Sequence, residues 1–196
     1  MTARQSAMSD NNKTPKDPNR DLLCAVLDDG KIALVRVVGR GSFANSMALK
    51  RFAAHMQSQN KNFRFIVDLD LCESMDSTFM GVIAGIAITQ IRAGGPRVTV
   101  VNPSQQCHKL LKNLGLEHLV DLRTGPVNEV GRAEFRPAEA TPASRAEQIC
   151  LTLQAHKQLV DIDQKNEVRF QAVIEYLEKS LSEEERGACD NPEESA

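Results

Sequence analysis

The sequence predicts an α/β domain whose mixed, largely parallel sheet of four to five strands is packed by helices. Two observations lead to this fold class. An Asp-Gly pair at Asp29-Gly30 separates two apolar runs, residues 22–27 and 31–38, and Gly accepts the positive φ of a tight hairpin turn. Beyond the hairpin, short apolar runs alternate with segments of helical periodicity, which implies parallel strands joined by right-handed crossovers.

The elements after the hairpin follow from periodicity and turn residues. Apolar residues at three- and four-residue steps predict helices, short continuous apolar runs predict buried strands, and Gly or Pro ends each element. In chain order we expect a helix over residues 47–56 with Asn45 or Ser46 as its cap, a strand over 65–70, a helix over 78–92, a strand over 98–101, a helix over 104–114 and a short strand over 118–122.

A helical extension follows this domain. Ser144 and Glu147 form an S-x-x-E capping box, and the apolar stripe of the helix behind it includes His156. A second amphipathic run begins near Asn166, a candidate cap, and ends near Leu181. Two apolar stripes need burial, so the helices either dock on the domain as a hairpin or pair with another copy to form a homodimer.

Composition divides the chain into five segments. The first is rich in Asn, Asp, Lys and Pro, the linker in Gly and Pro, and the last in acidic residues. We expect a disordered tail over residues 1–20, the α/β domain over 21–123, a linker over 124–142, the helical extension over 143–182 and an acidic disordered tail over 183–196.

Charge and cysteine usage exclude several function classes. The net charge is −2, from 24 basic and 26 acidic side chains, so nothing favours nucleic acid or an anionic membrane surface. Five widely spaced cysteines without a C-x-x-C pair support neither a zinc site nor a disulfide framework. The polar N-terminus lacks a signal sequence, and the longest apolar run, residues 79–88, is half of the roughly 20 residues of a membrane span. We expect a cytoplasmic protein without cofactor or metal.

The most informative segment is Asp76-Ser77-Thr78. It follows a predicted strand that ends in acidic residues, and an apolar helix begins there. Short polar side chains at a helix start have a structural role, since their oxygens cap free backbone N–H groups. The same N–H groups and the helix dipole also tolerate a phosphate. Both readings, capping and phosphorylation of Ser77, stay open at this point.

Residues Met75-Asp76-Ser77-Thr78-Phe79-Met80-Gly81 resemble the signature of anti-sigma factor antagonists, the family that gives the STAS domain its name. That signature is Met-Asp-Ser-Ser/Thr-Gly-Leu-Gly at a strand-to-helix junction, and the resemblance covers about residues 22–123. It implies that Ser77 is phosphorylated by a serine kinase of the histidine-kinase-like ATPase type, which is also the anti-sigma factor, and that a phosphatase reverses this step. The residues that the resemblance assigns to partner binding are Met75, Asp76, Thr78, Phe79, Met80, Ser42 and Asn45.

Two positions depart from the family pattern. Phe79 stands where the family has Gly, which places a ring in the first helical turn. The segment 39–42 (Gly-Arg-Gly-Ser) replaces a Gly-x-Leu-Asp that the family often has after its second strand. The acid of that motif is therefore missing here.

Two other functions are compatible with parts of the sequence, besides a binding module controlled by phosphorylation of Ser77. In the first, the same fold is a non-catalytic scaffold subunit, for example of a lipid-transport ATPase or a signalling complex. In the second, Gly39-Arg40-Gly41-Ser42-Phe43-Ala44 is a dinucleotide-binding G-x-G-x-x-A. That fingerprint opens a parallel βαβ unit, whereas the strand here pairs with a hairpin arm, and no set of catalytic residues accompanies it. We therefore expect no enzymatic activity.

Overall fold

The computed structural model describes residues 21–190 except 61 and 140, with side chains described up to residue 184. The segments 1–20 and 191–196, both expected to be disordered tails, lie outside the described residues.

A mixed sheet of six strands forms the centre of the domain, with the spatial order β7-β6-β4-β2-β1-β8. β2, β4, β6 and β7 are parallel neighbours, and β1 pairs antiparallel with β2 and β8. β3 and β5 form a separate parallel two-stranded ribbon. The strands are β1 (Leu22–Leu27), β2 (Ile32–Val37), β3 (Gly39–Gly41), β4 (Arg64–Asp68), β5 (Cys72–Met75), β6 (Thr99–Val101), β7 (Asp121–Arg123) and β8 (Arg136–Pro137). The predicted fold class is confirmed, and the sheet exceeds the expected size because β8 adds an edge strand.

The helices are α1 (Phe43–Gln59), α2 (Ser77–Arg92), α3 (Gln105–Asn113), α4 (Asn128–Gly131), α5 (Arg145–Ile162) and α6 (Glu167–Asp190). None of these described helices is both long and apolar enough to cross a membrane. α6 continues to Asp190, so its helical backbone extends into the segment expected to be a disordered acidic tail. The short strand expected at 118–122 begins only at Asp121, because residues 116–118 form a 3-10 turn.

The N-terminus of α1 differs from the prediction. Its cap is Ser42, not Asn45 or Ser46, and the helix begins at Phe43. Asn45 lies one turn in, where its Oδ1 accepts a hydrogen bond from the Ser42 backbone N–H at 2.9 Å. Ser46 Oγ donates to the Ser42 carbonyl at 2.8 Å. The polar side chains at this start therefore bond back to Ser42, which moves the helix boundary towards the N-terminus.

One face of the sheet is covered by α1, α2 and α3, whose buried residues form the main core together with Val35, Val67 and Val100. The other face is also apolar, with Leu34, Ile66 and Val101 buried on it. Residues 127–135, which include α4, pack there through side chains such as Phe135, and β8 follows directly. Within the segment 124–142, where a linker was expected, residues 127–137 are therefore a structural part of the domain, because they cover the second sheet face and add an edge strand.

The C-terminal helices dock on the domain as a hairpin: α5 packs on α2, and α6 packs on α5. Asn166, the candidate cap of the second helix, is buried between them. Its Nδ2 donates to the carbonyls of Leu114 and Leu159 at 3.1 and 2.8 Å, so it ties the hairpin to the end of α3. Of the two arrangements left open by the sequence, the structure has the docked hairpin.

Candidate functional site

The junction between β5 and α2 is organised by Asp76, the N-cap of α2. Its Oδ1 accepts from the Phe79 backbone N–H at 2.9 Å, and its Oδ2 accepts from the Phe43 backbone N–H at 2.7 Å. One carboxylate thus satisfies free N–H groups at the starts of two helices. The Asp76 backbone N–H donates to the Gly41 carbonyl at 2.9 Å, which fixes the junction to β3. The capping role of Asp76 follows directly from these bonds.

Ser77 is the first residue of α2 and is half-buried. Its Oγ lies 3.0 Å from Nε2 of His156, and Nδ1 of the same imidazole lies 2.8 Å from the Thr152 carbonyl oxygen. A carbonyl can only accept, so we assign the ring hydrogen to Nδ1 from the hydrogen-bond network. Nε2 of the neutral ring then accepts a hydrogen bond from the Ser77 hydroxyl.

His156 belongs to α5, so the predicted phosphorylation site is bonded to the C-terminal hairpin. The imidazole is only 4% exposed, and the Phe170 ring of α6 lies edge-on to it with 4.9 Å between ring centroids. Sequence reasoning assigned His156 no function. The available signal was its position within the apolar stripe of α5, since a polar side chain on a buried helix face needs a hydrogen-bond partner.

Most residues predicted to bind the partner lie inside the fold. Those with buried side chains are Asn45, Met75, Thr78, Phe79 and Met80. Ser42, Asp76 and Ser77 are half-exposed. The buried five offer little side-chain surface in this conformation. A partner-binding role for all seven residues stays a prediction, as does phosphorylation of Ser77.

Phe79 fills space that Gly41 leaves open. Phe79 is 0% exposed, and a Cβ built on Gly41 would lie 2.6 Å from the Phe79 Cδ1 atom. The ring that replaces the family Gly is therefore core and does not reshape the surface. This contact also gives the G-x-G-x-x-A segment a packing role, since the residues 39–41 form β3 and Gly41 must admit the ring.

The junction offers hydrogen-bond donors and acceptors, and phosphorylation there stays a prediction. His156 Nδ1 faces a main-chain carbonyl, not a carboxylate, and its ring is sealed from solvent, so the Ser77–His156 pair lacks the third member and the access of a hydrolase site. Below α2, Cys72 and Cys107 lie with Sγ atoms 3.8 Å apart, and burial raises the pKa of Cys72 to about 12. Within the described part of the chain no group of three or more His, Cys, Asp or Glu could hold a metal ion.

The chain resembles known proteins over its α/β domain. A family model described as "Mlab, STAS domain" matches residues 24–121, half of the chain. No curated protein sequence matches significantly. Among solved structures, the chain is similar to a protein assigned as an anti-sigma factor antagonist in Thermotoga maritima (19% identity, TM-score 0.48, 58% of this chain and 93% of that one). It is also similar to the anti-sigma factor antagonist SpoIIAA in its unphosphorylated form (15% identity, TM-score 0.46, 56% and 93%). From the match over residues 24–121, the chain belongs to the STAS domain family.

Proposed function

We propose that this chain is a phosphorylation-controlled protein-binding module, with Ser77 as its phosphorylation site. The observation that carries the proposal is the position of Ser77 as the first residue of α2, half-exposed and directly after the capping Asp76. A phosphate at a helix N-terminus meets free N–H groups and the positive end of the helix dipole, so the domain can accept it without unfolding.

The partner in this proposal is a kinase-type anti-sigma factor, in keeping with the resemblance of residues 75–81 to anti-sigma factor antagonists. The partner binds the surface around unmodified Ser77 and releases the sigma factor that it held. It later phosphorylates Ser77, and a phosphatase restores the hydroxyl. The protein then acts in the cytoplasm, in signal transduction that controls transcription.

The charge of a phosphate is sufficient for such control. Phosphorylation adds about −1.5 to −2 charges next to the Asp76 carboxylate. Against a carboxylate of the partner at about 6 Å and an effective dielectric constant near 20, each added charge opposes binding by roughly 3 kcal/mol. Salt screening lowers this figure, but a hundredfold loss of affinity requires only about 2.7 kcal/mol.

The test mixes the full chain with a co-encoded kinase-type anti-sigma factor and ATP, and follows phosphorylation on a phosphate-affinity gel. We expect modification of the wild type and none of Ser77→Ala. Ser104→Ala is the matched control, because Ser104 is likewise a serine at a helix N-terminus but lies away from α2. Equal modification of wild type and Ser77→Ala would refute the assignment of the site.

A second candidate function is a non-catalytic scaffold subunit, for example of a lipid-transport ATPase or a signalling complex. The engagement of Ser77 Oγ by His156 favours it, since a serine that is hydrogen-bonded within its own chain needs no modification to have a role. In that case the partner copurifies equally well with the wild type and with Ser77→Glu. A switch instead requires that Ser77→Glu weakens the complex.

A further inference from the structure

Two glycines of α2 face α5, and at one of them, Gly81, the two helices are in direct backbone contact. A Cβ built on Gly81 would lie 2.4 Å from the Ala155 main-chain oxygen, and one on Gly85 would lie 2.3 Å from Oε1 of Gln158. The glycine face of α2 is therefore turned towards the C-terminal hairpin.

Several polar contacts attach the hairpin to the domain, and two of them are made by its buried polar side chains, His156 and Asn166. At the N-terminus of α2 the contact is the bond between Ser77 Oγ and His156 Nε2. Beyond the C-terminal end of α5, the buried Asn166 amide donates to the Leu114 carbonyl. The first contact involves the residue proposed to be phosphorylated, and the second does not.

We propose that the α5–α6 hairpin is an internal occupant of the α2 face, which a partner protein must displace to bind, and that a phosphate on Ser77 keeps the hairpin open while its charge keeps the partner off the exposed face. The phosphate part of this inference rests on the proposed function; the occupancy of the face does not. The face fits a partner helix that presents a small residue at the closest approach, as α5 presents Ala155 to Gly81.

A phosphate at Ser77 is incompatible with the docked hairpin for two reasons. The 3.0 Å between Ser77 Oγ and His156 Nε2 has no room for a phosphoryl group, and Oγ loses the hydrogen that it donates. To make room for the phosphate, α5 would have to move away from α2. That movement would break the close contact between Gly81 and the Ala155 backbone. The kinase therefore acts on the open form, and the phosphate prevents closure.

The test measures hydrogen–deuterium exchange in α5 of the full-length protein. Gly81→Ala is expected to speed the exchange of residues 145–162 by about tenfold or more, since the added methyl meets backbone that cannot move aside. Gly85→Ala is the matched control: the methyl meets only the end of the flexible Gln158 side chain, so exchange stays within about threefold of wild type. The strands β2 and β4 are expected to keep their protection in both variants.

Phosphoserine installed at position 77 during translation is the second arm, with phosphoserine at position 104 as its control. We expect faster exchange in α5 only for the modification at 77. Unchanged or slower exchange there would overturn the role of phosphate. If Gly81→Ala exposes β2 and β4 together with α5, the hairpin is an integral part of the core and the proposal is wrong.

These outcomes are independent of the kinase assay. A hairpin that opens in both arms, in a protein that no anti-sigma factor phosphorylates, would leave this inference standing and refute the proposed function. If the protein is phosphorylated at Ser77 without any change in α5 exchange, the proposed function stands and the role of phosphate in this inference is refuted.

Discussion

The contact between Gly41 and Phe79 predicts a strong energetic coupling between two residues that are far apart in sequence. A methyl on Gly41 would lie 2.6 Å from Cδ1 and 2.7 Å from Cε1 of the Phe79 ring, so one of the two must move by about 1 Å to reach normal contact. The φ of Gly41 lies outside the left-handed region, so alanine meets no backbone strain there and the effect of substitution is purely steric.

The magnitudes follow from core packing. Gly41→Ala overfills a closed site and is expected to lower the free energy of unfolding by roughly 1–3 kcal/mol. Phe79→Ala removes a fully buried ring and is expected to lower it by roughly 3–5 kcal/mol. In the double variant the new methyl enters the space that the ring leaves, so the total loss should be smaller than the sum of the single losses by about 2 kcal/mol.

Urea denaturation followed by far-ultraviolet circular dichroism measures the cycle, since the chain has no Trp to report by fluorescence. Gly131→Ala is the control, because a Cβ there meets no atom within 4 Å, and its effect should stay within about 0.5 kcal/mol. Losses that add within about 0.5 kcal/mol in the double variant would show that Gly41 and Phe79 do not compete for the same space.

Two further predictions concern the junction and the core beneath it. Asp76→Ala removes the acceptor of two backbone N–H groups and should lower the free energy of unfolding by about 2 kcal/mol. Asp76→Asn keeps one acceptor, so its loss should be about half as large. Equal losses in the two variants would contradict the double cap. Burial raises the pKa of Cys72 to about 12, so at pH 8 only about one thiol in 10⁴ is ionised, and iodoacetamide should label Cys72 at least 100-fold more slowly than the half-buried Cys150. Peptide mass spectrometry reads the labelling, and comparable rates in the folded protein would refute the buried position of Cys72.

The parts of the fold that depend on local signals could be predicted from the sequence. The turn at Asp29-Gly30 has positive φ at both residues, and Ser144 and Glu147 form the expected capping box at the start of α5. The junction at Asp76 was also found, because a run of short polar residues before an apolar helix marks a helix start. The sequence signal for each of these features lies within a few neighbouring residues.

The parts that depend on contacts between distant segments could not be predicted in the same way. The segment 124–142 is rich in Gly and Pro, which is typical of a linker. Residues 127–135 pack on the domain because the second face of the sheet is apolar and needs to be covered. The direction of Gly81 and Gly85 was ambiguous for a similar reason. α2 is apolar on nearly all sides, so its periodicity does not tell which face meets the sheet and which meets α5.

The polar groups at the junction divide between two tasks, and this division makes regulation by Ser77 compatible with a stable domain. Both carboxylate oxygens of Asp76 accept from backbone groups of α1 and α2, so a change at Asp76 acts on the fold itself. The hydroxyl of Ser77 instead bonds to His156 of the extension, so a change at Ser77 acts on docking. A phosphate can therefore alter what covers α2 while the cap that holds α2 in place stays intact.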